Sequence, residues 1–176
     1  MVSGWRGSDE YYDALIRTYG RKMIKNPRSY AFVSMANTCL KAKKPKMALE
    51  VLKKGMEHHP NLLSAHLCRA KIYIEINQLG RAMDMLVNII DQKPENLHAR
   101  KLMAFIHLKV GRPEEGLEQI DEIKKIEPYH PPPAILSKKL LALQELHKKR
   151  VERRKMIVST LEQWLSNSSS MLVKSG

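Results

Sequence analysis

The chain has 176 residues, enough for one domain with a sizeable core and too few for two ordinary ones. Its 43% apolar content, with only 8 Gly and 9 Pro, excludes a disordered or fibrous chain, and no apolar run reaches the roughly 18 residues of a membrane-spanning helix. A net charge of +13 points to anionic partners, whether acidic protein, lipid surface or nucleic acid. The excess sits at the two ends, while residues 63–133 are balanced. Two cysteines, Cys39 and Cys68, and no hydrophobic run at the N-terminus predict reduced thiols in a cytoplasmic setting, with the periphery of a membrane as the variant.

Residues 9–25 carry Tyr12, Leu15, Ile16, Tyr19 and Met23 near helical spacing behind Ser8 or Asp9 as cap. The stretch 1–28 therefore reads as a helical half-repeat that shields the first face of a stack, closed by Asn26-Pro27. Beyond it the prolines become periodic, with Pro60, Pro94 and Pro128 separated by one constant interval. Four further columns share that interval: Ala36, Ala70 and Ala104; Ala48, Ala82 and Gly116; Leu52, Leu86 and Ile120; Cys39, Tyr73 and His107. Small residues let two antiparallel helices approach closely. Larger ones, with Gly55, Ile89 and Ile123 as a further set in which Gly55 is the weak member, fill the seam toward the next unit. The prolines end each second helix, because proline cannot donate from a helix interior. Pro45 and Pro113 fall where second helices start, Gly111 where a left-handed residue ends a helix, and Glu114 and Glu115 in a first turn that favours negative charge.

This helix–turn–helix period of about 34 residues, with small, aromatic and proline positions in step, resembles the tetratricopeptide repeat. The resemblance implies an all-α fold, a right-handed α-solenoid, with three units at 29–62, 63–96 and 97–130. The family's tryptophan position is occupied by Phe32, His66 and Arg100, its leucine position by Met35, Arg69 and Met103, and its tyrosine position is kept only by Tyr73. The resemblance also implies a concave peptide-binding groove lined by first-helix side chains. In unit order these are Tyr30, Val33, Ser34, Asn37, Leu40 and Lys41, then Ser64, Leu67, Cys68, Lys71, Ile74 and Glu75, then His98, Lys101, Leu102, Phe105, Leu108 and Lys109. Such an apolar trough with lysines suits an extended or helical peptide of some negative charge. Members that clamp a chaperone's terminal carboxylate use columns that read here Val33, Asn37, Cys68, His98 and Leu102; only Asn37 matches, which disfavours that ligand.

After Pro131-Pro132-Pro133 a helical pattern runs from Ala134 to about Leu165. Ile135, Leu136, Leu140, Leu143 and Leu146 are expected to cap the third unit. The next stretch carries Lys148, Lys149, Arg150, Arg153, Arg154 and Lys155 with almost no apolar face, and a helix charged all round projects from the body. An apolar patch then comes at Ile157, Val158, Leu161, Trp164 and Leu165, which could fold back, pair with a second copy, dock on a protein or lie on a membrane. Residues 166–176 read as a flexible tail. No aromatic lies between His147 and Trp164 to stack on bases, so the basic stretch favours a solvated face, an acidic protein or anionic lipid over nucleic acid.

No glycine-rich phosphate loop, zinc-protease helix or paired-cysteine metal motif occurs. Cys39, Cys68, His66, His98 and His107 include helix-packing positions, where buried cysteine behaves as a small hydrophobe, and the ten methionines read mainly as core filling. The sequence therefore predicts no cofactor, no metal and no catalysis. It predicts a protein-binding scaffold or adaptor, with homodimerisation through the C-terminal helix as an option. The alternatives are a secretion-type chaperone, whose usual acidic balance is missing, and an assembly factor acting on membrane or nucleic acid through the basic helix.

Overall fold

The computed structural model describes residues 8–174, with side chains as far as Trp164. Among these residues there are eight helices and no strand: α1 (Asp9–Lys25), α2 (Ala31–Lys41), α3 (Pro45–His58), α4 (Leu63–Glu75), α5 (Leu79–Gln92), α6 (Leu97–Val110), α7 (Pro113–Ile126) and α8 (Ala134–Lys174). Local chemistry explains their limits. The Ser8 side chain accepts from the Tyr11 backbone N–H at 3.3 Å and starts α1, while Pro45 and Pro113 occupy the first turns of α3 and α7, where no intrahelical donor is needed.

The hairpins α2–α3, α4–α5 and α6–α7 close through the same turn three times. Lys43, Asn77 and Gly111, each one repeat apart, have positive φ of 58°, 59° and 76°. The N–H groups next in the chain, of Lys44, Gln78 and Arg112, donate to the carbonyls of Cys39, Tyr73 and His107 at 2.9, 2.8 and 2.9 Å. A left-handed residue thus satisfies the carbonyls that a helix end leaves open. Glycine adopts this backbone freely and asparagine tolerates it. Lys43 takes it at a steric cost, and its Nζ reaches Glu75 Oε1 across the unit boundary at 2.8 Å.

The stack curves because its two helix layers differ. α2, α4, α6 and the start of α8 neighbour one another in turn, whereas among the described residues α3, α5 and α7 do not meet. The first helices therefore lie on the inside of the curve. α1 packs on α2 alone, as a second helix of a preceding unit would, and α8 meets both α6 and α7, as the first helix of a succeeding unit would. Lys44 Nζ also reaches Asp13 Oδ1 at 2.6 Å, joining α1 to the first turn. Both groups are partly exposed, so this pair orients more than it stabilises.

Every small-residue column is buried: Ala36, Ala70 and Ala104, then Ala48, Ala82 and Gly116. So are Leu52, Leu86 and Ile120. A further buried column, Thr38, Ile72 and Ile106, continues one repeat on at Leu140, which is fully buried. Leu140 lies so close over Gly116 that a Cβ there would sit 2.5 Å from its Cδ2. Removing such a side chain from water is worth roughly 1.5–3 kcal/mol, which holds α8 to the third hairpin.

Gly55 does not fill a seam, as its column predicts. It makes room within its own unit, since a Cβ there would run into the Phe32 ring. In the next two units the partner of the column is an isoleucine, Ile89 or Ile123, and the Phe32 position holds His66 or Arg100. Their polar ends reach back to the carbonyls of Pro60 and Pro94, at 2.7 Å each. The large ring and the missing side chain are thus complementary.

α8 runs 41 residues to Lys174, past the end expected near Leu165, so the stretch expected to be a flexible tail is helical over 166–174; residues 175–176 lie outside the described residues. Every described side chain from Lys148 onward is exposed. Among the described residues no helix is long and apolar enough to cross a membrane.

His107 is buried, its Nδ1 has no hydrogen-bond partner among the described residues, and burial holds its pKa below 6.5; Arg112 adds to the effect while Glu115 and Glu118 oppose it. The folded chain thus keeps this imidazole neutral at a pH where the unfolded chain protonates it, so its contribution is complete above about pH 6.5 and falls on acidification.

This packing sets two stability outcomes. Gly55→Ile should cost about 1–3 kcal/mol or more by overpacking; combined with Phe32→Ala, the pair should cost less than the sum of the single changes in urea denaturation, and strict additivity would separate the two residues. Unfolding at pH 7.5 and 5.5 should show the chain weaker at the lower pH, with a smaller loss in His107→Leu; an identical loss would show that His107 is not a source of it.

Candidate functional site

The inner wall is built by α2, α4 and α6. Helical spacing brings Val33, Ser34, Asn37, Leu40 and Lys41 to its surface from α2, and Ser64, Leu67, Lys71 and Glu75 from α4. From α6 come His98, Lys101, Leu102, Phe105, Leu108 and Lys109, with Phe105 37% exposed. Three expected groove residues are placed elsewhere. Cys68 is 1% exposed and belongs to the core of the preceding hairpin with Phe32, Ala36 and Cys39, and Ile74 is 7% exposed and belongs to the core of its own hairpin with Ala82 and Leu86. Tyr30 packs tilted against His59 at the end of α3, with ring centroids 4.5 Å apart, and so lies at the loop edge of the first unit. Burial pushes the Cys68 thiol up to about 11, against a pull from Lys71, so it stays protonated and unreactive at neutral pH.

The wall is electropositive toward its C-terminal half. Burial first, then the nearby Lys71 and Lys101 from two units, hold the His98 pKa below its ordinary value. Lys109 Nζ lies 5.4 Å from the Phe105 ring centroid. α6 has no Asp or Glu, nor have residues 134–144. Glu75, which feels Lys109, is paired with Lys43. Asn37, the one match to a carboxylate clamp, donates its amide to the Val33 carbonyl of its own helix at 2.9 Å.

Where α8 takes the place of a fourth inner helix, it closes an apolar cleft of about 460 Å³ against α6, lined by Phe105, Leu108, Pro133, Ile135, Leu136 and Lys139. By sequence the groove ends at Lys109. Carrying its columns on by one more repeat leads from Lys101, Leu102 and Phe105 to Ile135, Leu136 and Lys139, a signal hidden by the triple proline that breaks the pattern.

Farther along α8, Lys148, Lys149, Arg150, Arg153, Arg154 and Lys155 are all exposed, and Lys148 reaches Glu145 of its own helix at 3.4 Å. Ile157, Leu161 and Trp164 are 50%, 55% and 66% exposed, and the Leu165 side chain lies outside the described residues. At 100° per residue, Ile157, Val158, Leu161 and Trp164 share one side of the helix.

No family model matches the chain. Over 113 residues it is 27% identical to sperm-associated antigen 1 of Mus musculus; the match takes in 64% of this chain and 12% of that relative's length. Among solved structures, a tetratricopeptide repeat protein from Parabacteroides merdae superposes with a TM-score of 0.65 at 12% identity, covering 79% of this chain and 56% of that one. YrrB, described as a TPR protein with an unusual peptide-binding site, superposes with a TM-score of 0.59 at 20% identity, covering 80% of this chain and 67% of its own. Three hairpins with one turn geometry, stacked on small-residue columns at a constant interval and superposing on these structures, show that the chain has the tetratricopeptide-repeat fold.

Proposed function

We propose that this chain is a non-catalytic protein-interaction scaffold whose inner wall binds an acidic peptide segment of a partner protein. The observation that carries the reading is the wall itself. Val33, Leu40, Leu67 and Leu102 are half-buried against the hairpin cores and Phe105 is exposed, Lys41, Lys71, Lys101 and Lys109 fall on the same helices at groove spacing, and the single carboxylate among these positions, Glu75, pairs with Lys43. Burial of the partner's apolar side chains supplies affinity, and the lysines steer the approach and select the sign of charge. The description of YrrB as having a peptide-binding site supports this use of the fold.

The exposed half of α8 supplies a second contact, to an anionic surface. Six cations within eight residues, followed by an apolar side that ends in Trp164, match a helix lying in the headgroup layer of an anionic membrane. A parallel, in-register pair of α8 helices would bring the six cations of each copy together, which argues against self-association along this stretch.

With both Leu67→Glu and Phe105→Glu in place, a partner protein captured by the wild-type chain should be lost by about ten-fold or more, while far-ultraviolet circular dichroism stays unchanged; undiminished capture would discredit the groove. In vesicle sedimentation, the full chain should bind phosphatidylserine-containing vesicles in preference to neutral ones. Lys149→Glu with Arg153→Glu should weaken that binding, and added salt should do the same. Equal binding to neutral vesicles would remove the anionic-surface contact.

A further inference from the structure

We infer that the cleft between α6 and α8 is an anchor site for one bulky apolar side chain flanked by acidic residues in the bound peptide. The inference rests on the groove reading above and adds to it a place and a ligand chemistry. At about 460 Å³ the cleft is an open surface depression with room for one leucine or phenylalanine side chain. Its walls are Phe105 and Leu108 of α6, Pro133 of the connection, and Ile135 and Leu136 of α8. Ile135 is 75% exposed beside this floor, so the apolar surface that a ligand would cover is left open to water.

Cations prevail around the cleft. Lys139 stands at its rim, and Lys109 lies over the Phe105 ring. Neither α6 nor the stretch 134–144 holds a carboxylate, and Glu75 is held by Lys43. An apolar floor with Lys139 at one side and Lys109, which also feels Glu75, at the other is complementary to a large apolar residue flanked by carboxylates. An aromatic side chain would gain further from the Phe105 ring.

The chain's own apolar patch does not meet this description. Trp164 lies thirty residues beyond Ala134 on one helix, about 45 Å away at 1.5 Å per residue, so it does not return to the cleft in cis. The same patch from a second copy would bring Lys148 to Lys155 toward Lys109 and Lys139, like charge against like. The occupant is therefore an acidic segment of a different protein.

The test uses the full chain and fluorescein-labelled peptides Gly-Ser-Asp-Glu-X-Glu-Asp-Ser-Gly, with X as Leu, Phe or Ala, read by anisotropy. A fourth peptide keeps Leu and replaces the acids by Asn and Gln. The Leu and Phe peptides should bind about ten-fold or more tighter than the Ala peptide, because an isopropyl group or an aromatic ring is additionally buried. The uncharged peptide should bind about ten-fold more weakly than its acidic counterpart and lose most of its response to salt. Ile135→Glu, at a largely exposed position, should erase the preference for Leu over Ala. Leu67→Glu, one unit away, should weaken all acidic peptides alike and leave the preference intact.

Equal binding of the Leu and Ala peptides, or a preference that survives Ile135→Glu, overturns the anchor site while a response to Leu67→Glu keeps the groove. A preference lost only in Ile135→Glu, with Leu67→Glu silent, keeps the anchor and overturns the groove. Absence of binding by every peptide at millimolar protein overturns both.

Discussion

The architecture depends on close approach between paired helices, which is possible only where the facing side chains are no larger than a methyl group. Ala36, Ala70 and Ala104 on the inner helices, and Ala48, Ala82 and Gly116 on the outer ones, provide that contact in each hairpin. Larger residues at any of them would separate the pair and break the stack on both sides, because each unit is supported only by its neighbours. Curvature follows from the same contact. Inner helices touch their successors and outer helices do not, so an inward face exists whose side chains are available to something other than the core.

Most of this was legible in the chain because proline and alanine mark it plainly. A proline that ends a helix and an alanine that admits a neighbour have few substitutes, so they recur at the repeat interval even where the aromatic and leucine positions have drifted. What stayed hidden was compensation between positions. Gly55 reads as a defect in its column until Phe32 is found in the space it leaves, and Leu140 reads as a cap residue until it proves to extend the column of Ile72 and Ile106. The turn residues Lys43 and Asn77 hide for a different reason. Backbone conformation there is imposed by the packed helices on both sides, so local preference shows at Gly111, in part at Asn77 and not at Lys43.

The candidate site was legible in part, and for a geometrical reason. Assigning groove positions by column treats each inner helix as presenting one face, yet Cys68 is buried against the preceding unit and Ile74 in its own hairpin. Tyr30 lies before the first turn of α2, where helical direction no longer applies. The shared influence of Lys71 and Lys101 on His98 needed coordinates, since it crosses from one unit to the next. The closing wall supplied by α8 was concealed by the proline run before it.

The length of α8 carries a consequence for how the molecule is mounted. Forty-one residues in one unbroken helix span about 60 Å, roughly two membrane hydrocarbon thicknesses, and the helix is anchored to the body only near its start. Were its far end held by a support, such a rod would set where the curved face is displayed and how far from that support it stands. Two recipients joined through this chain would be kept apart by a set gap instead of being pressed together.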